Sequence, residues 1–144
     1  MALRHKYTLI CDEVRIENNG KLLVIGMYGP RIAVPQIPCV LPSLTFFQCF
    51  ESDSPAQLQF RATLQHLDDG QIVAQAMGIM NVPHQGQGGG LVKFANVVFS
   101  QIGSYVFAVS IDTMAEPITT TFDVVLAPVI QIPIHPTPQR PPGA

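Results

Sequence analysis

Four histidines are the side chains of this sequence best suited to acid–base catalysis or metal binding, and they are scattered along it. They are His5, His66, His84 and His135. No two are spaced as metal ligands, and no convergent group accompanies any of them. The sequence also lacks Gly-x-Ser-x-Gly, His-Glu-x-x-His and a cysteine with a suitable histidine partner. We therefore predict no catalytic, cofactor-binding or metal-binding residue, no cofactor, and a protein that is not an enzyme.

Three cysteines, Cys11, Cys39 and Cys49, make an odd count without a CxxC pair. Neither a disulfide framework nor a zinc site is indicated, and a reducing compartment fits best. The first residues are partly basic, but no apolar segment of signal-peptide length follows them. The sequence predicts a cytoplasmic protein.

Charge and hydropathy exclude two classes of partner. Eight basic and ten acidic residues give a net charge of −2, which creates no field that attracts phosphate backbones, so we expect no nucleic acid partner. Two uncharged stretches, 32–50 and 94–111, approach the length of a membrane span. The first contains three prolines and the second contains Asn, Gln, Gly and Ser, so we expect no membrane partner.

Acidic residues occur in pairs near predicted strand ends, where calcium-binding sandwiches place their ligands. The pairs are Glu51 with Asp53, Asp68 with Asp69, and Asp112 with Glu116. Calcium takes six to eight oxygen ligands, and no single loop here supplies more than two carboxylates. The pattern favours turn formation and solubility.

The glycine-rich segment 84–90 resembles a phosphate loop only in composition. A phosphate loop ends in Gly-Lys-Ser/Thr and opens a helix, whereas Leu91 and the residues after it follow a strand pattern. We interpret the segment as a flexible connector.

The elements that would position any site are strands. Apolar residues recur with period two, Val, Ile, Phe, Tyr and Thr are abundant, and turns recur at short intervals. A first hairpin joins 5–17 to 21–28 through Asn18-Asn19-Gly20. Within its first strand the apolar set changes phase, which predicts a β-bulge near residues 11–13.

The second hairpin is defined by strict alternation before Asp68-Asp69-Gly70. A three-residue loop with Gly70 left-handed places all apolar partners on one face, whereas a two-residue loop would place Leu64 opposite Gln75. The predicted pairs are Leu64 with Ala74, Ala62 with Ala76, and Phe60 with Gly78.

Further strands are predicted at 44–51, 91–100, 105–112 and 118–126. Segment 44–51 is apolar on both faces, so we expect it to be covered on both sides. Segment 31–42 contains three prolines and cannot lie in a central strand, so it forms an edge or a crossing connection. The fold class is all-β, a single two-layer antiparallel β-sandwich of about seven to eight strands.

The domain spans residues 1–127, and a proline-rich C-terminal tail spans 128–144. Prolines recur through this tail, so we expect it to be extended or in the polyproline II conformation.

The segment from Phe99 to Asp112 resembles the corner between strands E and F of an immunoglobulin-like sandwich. In that family Gly-x-Tyr begins strand F, as Gly103-Ser-Tyr105 does here. The resemblance implies that the Tyr105 hydroxyl bonds the backbone at the corner and that Phe107 occupies a core position that often holds a cysteine. The disulfide of that family is therefore absent.

A second resemblance concerns the N-terminal third. ICDEVR at 10–15 followed by GKLLVIGMYG at 20–29 is similar to the opening of a family of small uncharacterised bacterial proteins. That similarity implies no activity.

The functional hypothesis rests on the excess of apolar residues over what a two-layer sandwich of this size can bury. Charged residues make up 12% of the chain, and segments 21–28 and 44–50 are apolar on both faces. We expect a non-enzymatic sandwich that binds protein, first a second copy of itself, as a homo-oligomer. Alternatively the tail covers the sheet in the same chain, swaps between subunits or docks on another protein. A ligand-binding module for calcium, lipid or carbohydrate, using the loops at one end, is the hypothesis from another class.

Overall fold

The computed structural model describes residues 2–82, 86–127 and 143, and nine strands are the regular elements of this part of the chain. The strands are β1 (Leu3–Ile16), β2 (Leu22–Tyr28), β3 (Arg31–Val34), β4 (Cys39–Ser52), β5 (Ala56–His66), β6 (Ile72–Val82), β7 (Gly86–Phe99), β8 (Gly103–Ile111) and β9 (Ile118–Leu126).

The strands form two sheets. The four-stranded sheet has the order β2-β1-β4-β7, and the five-stranded sheet has the order β3-β9-β8-β5-β6. All pairs are antiparallel except β3 with β9, which run parallel. The all-β prediction is confirmed. The prediction of seven to eight strands in an antiparallel, immunoglobulin-like arrangement is wrong, because the described residues form nine strands and β3 runs parallel to β9.

Aromatic contacts join the two sheets across one core. Phe46 of β4 stacks on Phe107 of β8 with ring centroids 3.9 Å apart. Beside them Tyr105 stacks on Phe122 of β9 at 5.8 Å, and Phe99 of β7 meets the Tyr105 ring edge-on at 5.0 Å. Such pairs add to the stabilisation that comes from burying their area.

Strand β4 is covered on both sides, as predicted for 44–51. Every residue from 44 to 50 is buried. Phe46 and Phe50 belong to the core, whereas Phe47 and Cys49 lie on the opposite face, because successive side chains of a strand alternate. The Tyr7 ring of β1 lies 6.4 Å from the Phe47 ring, which also lies against Gly89 of β7, so side chains of the flanking strands help to cover this second face.

The register of the second hairpin is confirmed. Leu64 lies opposite Ala74, Ala62 opposite Ala76 and Phe60 opposite Gly78. The loop itself differs from the prediction, since it has four residues, 67–70, between the hydrogen-bonded residues His66 and Gln71. In addition, the register of β5 against β6 shifts between Leu64 and Gln65, just before this loop. Gly70 has the predicted positive φ of 71°.

The bulge predicted near residues 11–13 is elsewhere. Cys11 pairs with Met27 and Glu13 with Ile25, so no residue is inserted between them. The register of β1 shifts instead against β4, between His5 and Tyr7. The pairing of β1 with β2 is nevertheless interrupted at Asp12. Gly26 lies opposite Asp12 with φ of 65°, and these two residues do not pair.

The alternation of core-facing and outward-facing side chains changes phase within β4 and β7. In β4 the even-numbered residues 44 and 46 face the core, whereas before Pro42 the odd-numbered residues 39 and 41 do so. Asn96, opposite Pro42 in the register, has φ of 53°, and the pair between them is absent. The prediction that segment 31–42 cannot lie in a central strand is wrong for residues 39–42, which belong to β4, between β1 and β7. Pro42 is tolerated because β1 pairs with β4 only from Thr45 onward, which leaves one side of β4 free at that point.

The glycine-rich segment is only partly a connector. Residues 86–90 belong to β7 and pair with β4, so the prediction of a flexible connector is wrong there, while His84 lies outside the described residues. A Cβ on Gly89 would overlap the Phe47 ring, 2.6 Å from Cζ, and a Cβ on Gly90 would lie 2.6 Å from the Met80 sulfur. The missing side chains let these two neighbours lie directly on the strand.

We expect Gly89→Ala to lower the free energy of unfolding by about 1–3 kcal/mol, because the new methyl group displaces the buried Phe47 ring. Gly29→Ala is the matched control, since nothing lies within 4 Å of a Cβ there. Urea unfolding of both variants measures the difference. Equal stability of the two variants would show that the strand accommodates a side chain at Gly89.

The corner predicted from the immunoglobulin-like resemblance is present. The Tyr105 hydroxyl donates to the Gln101 carbonyl at 2.6 Å, and Tyr105 is 1% exposed. Residues 107, 109 and 111 are buried with it. Tyr105→Phe should lower the free energy of unfolding by about 1 kcal/mol, the net contribution of one hydrogen bond. Unchanged urea stability in this variant would mean that the bond contributes nothing to the fold.

Candidate functional site

Strand β2, at the edge of the four-stranded sheet, carries several exposed apolar side chains. Among the described strands it pairs with β1 alone. Four of its apolar side chains have exposed fractions of 43% for Leu22, 44% for Leu23, 38% for Ile25 and 65% for Met27. Neighbouring positions point to opposite faces, so both faces of the strand carry exposed apolar groups. We call residues 12–28, which comprise the end of β1, the turn and β2, the arm.

The arm exists because β1 separates from β4. Pairing between these strands ends with Cys11 and Thr45. Immediately beyond, the Asp12 carbonyl accepts the Ser43 hydroxyl at 2.6 Å and the Thr45 hydroxyl at 3.0 Å. Two side-chain donors thus satisfy a half-buried carbonyl that a strand partner would otherwise bond. Within the described part of the chain, the rest of β1 pairs only with β2.

The base of the arm is held by a second contact at Asp12. The Tyr28 hydroxyl donates to Asp12 Oδ1 at 2.6 Å, and Gly26 leaves the space that the carboxylate occupies. Burial, together with the neighbouring carboxylate, raises the pKa of Tyr28 to about 12. The hydroxyl therefore stays protonated as a donor. A general acid or base would need a pKa nearer the working pH, so the pair holds the arm.

The other sheet edges carry features that discourage strand addition. Strand β3 has four residues and is followed by Pro35. Strands β6 and β7 lie beside each other, with the Met80 side chain of β6 against Gly90 of β7. Among the described edge strands, β2 and β6 contain neither a proline nor a charged residue, and of these two β6 has β7 beside it.

Segment 44–50 is not available as a surface for self-association. The sequence predicts that either this segment or 21–28 contributes a face or an edge to such an interface. Segment 44–50 lies in the central strand β4 and all its side chains are buried. The chain itself covers this segment, so only the prediction for 21–28 remains.

Two carboxylates of the predicted acidic pairs contact protein groups. Glu51 contacts Arg4, with Lys6 at 3.7 Å, and Asp53 accepts the Ala2 amide at 3.0 Å. Over residues 2–82 and 86–127, no three His, Cys, Asp or Glu side chains are grouped as a metal site would require. Contacts within the chain account for these two carboxylates.

A polar network around His66 was not expected from the sequence. His66 Nδ1 lies 3.0 Å from Asp69 Oδ1, and Nε2 lies 3.2 Å from the Ile102 carbonyl. Gln101 Nε2 donates to the other Asp69 oxygen at 2.7 Å. The network joins the β5–β6 turn to the turn before β8, next to the Tyr105 corner. The one feature of the sequence that pointed to this region was the Asp69-Gly70 turn, which gives no information about partners as distant in the chain as Gln101 and Ile102.

The remaining predicted groups do not converge. His5 lies in the four-stranded sheet, where its Nε2 is 2.9 Å from the Thr8 hydroxyl, whereas His66 lies in the five-stranded sheet. His84 and His135 fall outside the described residues. Cys11, Cys39 and Cys49 are free thiols, and burial raises the pKa of Cys11, so that thiol is a poor nucleophile.

A groove of about 490 Å³ lies on the five-stranded sheet, between β5, β6 and β8. Arg61 and Asp112 lie in it with the apolar side chains of Met77 and Ile79. It lies along strand backbones, so it differs from the loop-end site of the ligand-binding hypothesis. Within the described part of the chain, no helix is long and apolar enough to cross a membrane.

Comparison with known proteins gives a family without a function. The model of a family of unknown function, DUF6941, matches residues 6–124, and the chain belongs to that family. No curated protein matches the sequence. Membership agrees with the resemblance of the N-terminal third to an uncharacterised family, and bacterial origin stays a prediction of that resemblance.

The His66 network makes stability depend on pH. Its partner Asp69, with nearby Asp68, raises the pKa of His66 above 6.5, so this contribution is complete below pH 6.5 and is lost as pH rises through the raised value. Hydrogen bonds from the Gln71 amide, Gln101 and His66 lower the pKa of Asp69 from 3.8 to about 2, so that contribution is lost only as pH falls below 3.8.

We therefore expect the stability difference between the native chain and His66→Gln to be largest between these limits. Urea unfolding of both proteins at about pH 5.5 and about pH 8.5 should show the difference shrinking at the higher pH. Subtracting the variant removes the separate titration of His5, whose pKa burial lowers. A difference that grows toward high pH would contradict an imidazolium at this position.

Proposed function

We propose that this member of DUF6941 is a non-enzymatic, protein-binding β protein that assembles with a second copy of itself through β2. The single observation that carries the proposal is the exposed edge of β2, which is apolar on both faces and lacks the devices that normally prevent strand pairing. An unpaired edge presents a row of backbone donors and acceptors, and a partner strand satisfies them by strand addition.

A second copy suits this edge better than a charged partner. Strand β2 contains no charged residue from Leu22 to Tyr28. Antiparallel pairing of two such strands places no like charges opposite each other, so a self-pair has no electrostatic penalty. A closed twofold dimer also uses the same patch twice, which is the commonest symmetry among oligomers.

The faces of the arm supply the area that the edge alone lacks. A stable interface buries at least about 1,000 Å² in total, more than two short strand edges provide. Met27 on one face and Leu22 on the other remain exposed, and Ile16 at the end of β1 is 68% exposed. Burial of both faces of two arms adds apolar area on either side of the paired strands.

A location in the cytoplasm is supported by the three cysteines, which are free thiols, as is typical of a reducing compartment.

The alternative function, a ligand-binding module that uses the loops at one end, has less support, because Glu51, Asp53 and Asp69 already bond groups of the chain. Added calcium that raised the melting temperature would favour that alternative.

Light scattering should give the full chain twice the mass of one copy at high concentration. Ile25→Lys places a charge in the proposed interface and should shift the mass to that of one chain. Met77→Lys is the matched control, because Met77 is 73% exposed on the edge strand β6 and should leave the mass unchanged.

Two results would overturn the proposal. One is a full chain that stays monomeric at every concentration tested. The other is a dimer that survives Ile25→Lys and is lost in Met77→Lys, which would place the interface on the five-stranded sheet.

A further inference from the structure

The groove between β5, β6 and β8 lies on the outer face of the five-stranded sheet, meaning the side chains that point away from the core. Gln59 and Arg61 belong to this face, since their neighbours Leu58 and Ala62 belong to the core. The exposed residues that line the groove are Gln59, Arg61, Met77, Ile79, Ser110 and Asp112. The groove is therefore open to solvent.

Two opposite charges lie in this groove without pairing. Arg61 of β5 lies opposite Ser110 of β8, and the amide of Asp112, just after β8, donates to the Gln59 carbonyl at 3.3 Å. Diagonal neighbours of this kind are about 7–8 Å apart. Every acidic residue of the sequence lies in the described part of the chain, and none of them forms an ion pair with Arg61. In this arrangement the guanidinium is available to a partner.

We propose that the groove binds an extended peptide of another protein, with an acidic residue and, two positions along, a lysine or arginine. Side chains on one face of an extended chain are about 6.8 Å apart, which is also the distance between successive rows of a strand ladder. An acidic side chain opposite Arg61 therefore places the basic one opposite Asp112. This proposal goes beyond assembly through β2 and does not depend on it.

The shape of the surface suits an extended chain better than a small molecule. A second depression shares Arg61 and Met77 with the groove and continues to Gln75. Together the two follow β6 from Ile79 to Gln75, a distance of about 14 Å along the strand. Sites for small molecules enclose most of the ligand, which a row of exposed side chains on a sheet face does not do.

The chemistry of the groove suits the two charged side chains of such a peptide. A guanidinium donates to both oxygens of a carboxylate in a fixed geometry. Met77, opposite Arg61, is 73% exposed, and Ile79, opposite Gln59, is 58% exposed. They provide apolar contacts for the alkyl stems of glutamate and lysine, and the thioether of methionine adapts to stems of different shape.

Two segments of the chain itself fit the groove less well. Glu13 and Arg15 of the arm have the required spacing, but they already pair with each other at 3.3 Å. The tail 128–144, which the sequence predicts to cover a sheet or dock on another protein, lies outside the described residues apart from residue 143. It contains no aspartate or glutamate to face Arg61. A peptide of another protein is therefore the favoured occupant.

Three labelled, blocked nine-residue peptides of serine and threonine test the predicted pattern. The first carries glutamate and lysine at its fifth and seventh positions, the second carries them at the fifth and sixth, and the third has glutamate at both the fifth and the seventh. Fluorescence anisotropy with the full chain should show the first binding at least about fivefold tighter than the second, which has the same composition. Equal affinities, or no binding of the first peptide at millimolar protein, would overturn the proposal.

Variants of the two groove charges identify the contacts. Asp112→Arg should make the third peptide the tightest ligand, because each glutamate then faces a cation. Arg61→Gln should weaken the first peptide at least about fivefold. The matched control is Arg31→Gln, at an exposed position on β3 of the same sheet, which should leave that affinity unchanged. Equal weakening by both arginine variants would reduce the binding to net charge and overturn the proposal.

Light scattering tests the second copy as the alternative occupant. A lower mass of the full chain in Arg61→Gln would assign the groove to a second copy and reject a peptide of another protein. Circular dichroism of each variant verifies that the sheets remain. Failure of the Ile25→Lys experiment would leave the peptide affinities unaffected, so the two proposals are tested separately.

Discussion

The separation of β1 from β4 after Cys11 and Thr45 determines much of what this protein exposes. Two hydroxyls, from Ser43 and Thr45, satisfy the Asp12 carbonyl at the point where strand pairing stops. Because these hydroxyls bond that carbonyl, the separation does not leave it without a donor, and the end of β1 projects with β2 as its only partner among the described strands. The same gap frees one side of β4, which is why a proline is tolerated within it.

The aromatic core fixes which surfaces remain available. Phe46, Phe107 and Phe122 occupy the space between the sheets, and small residues such as Gly89 and Gly90 admit the larger side chains beside them. A core packed this closely has no room for the remaining apolar residues. The surplus in the composition therefore appears on β2 and on the outer face of the five-stranded sheet.

Local patterns predicted local structure. The second hairpin was predictable because its alternation and its Asp-Gly turn lie within a few residues of each other. The change of phase at Pro42 was not, because a positive φ at Asn96 leaves no periodic signal. Residues 86–90 resembled a loop because the neighbours that require Gly89 and Gly90, the Phe47 ring and the Met80 side chain, lie on other strands. The apolar character of β2 was visible in the sequence, whereas the His66 network depends on turns far apart along the chain.

The parallel pair of β3 with β9 has a kinetic consequence. It joins residues 31–34 to residues 123–126, which lie 92 positions further along the chain, so its closure must wait for most of the polypeptide. The hairpin of β1 and β2, in contrast, needs only its own turn. During synthesis the N-terminal hairpin can therefore form while the five-stranded sheet is still incomplete. Nascent chains on neighbouring ribosomes would then present apolar edges to each other before either has finished folding.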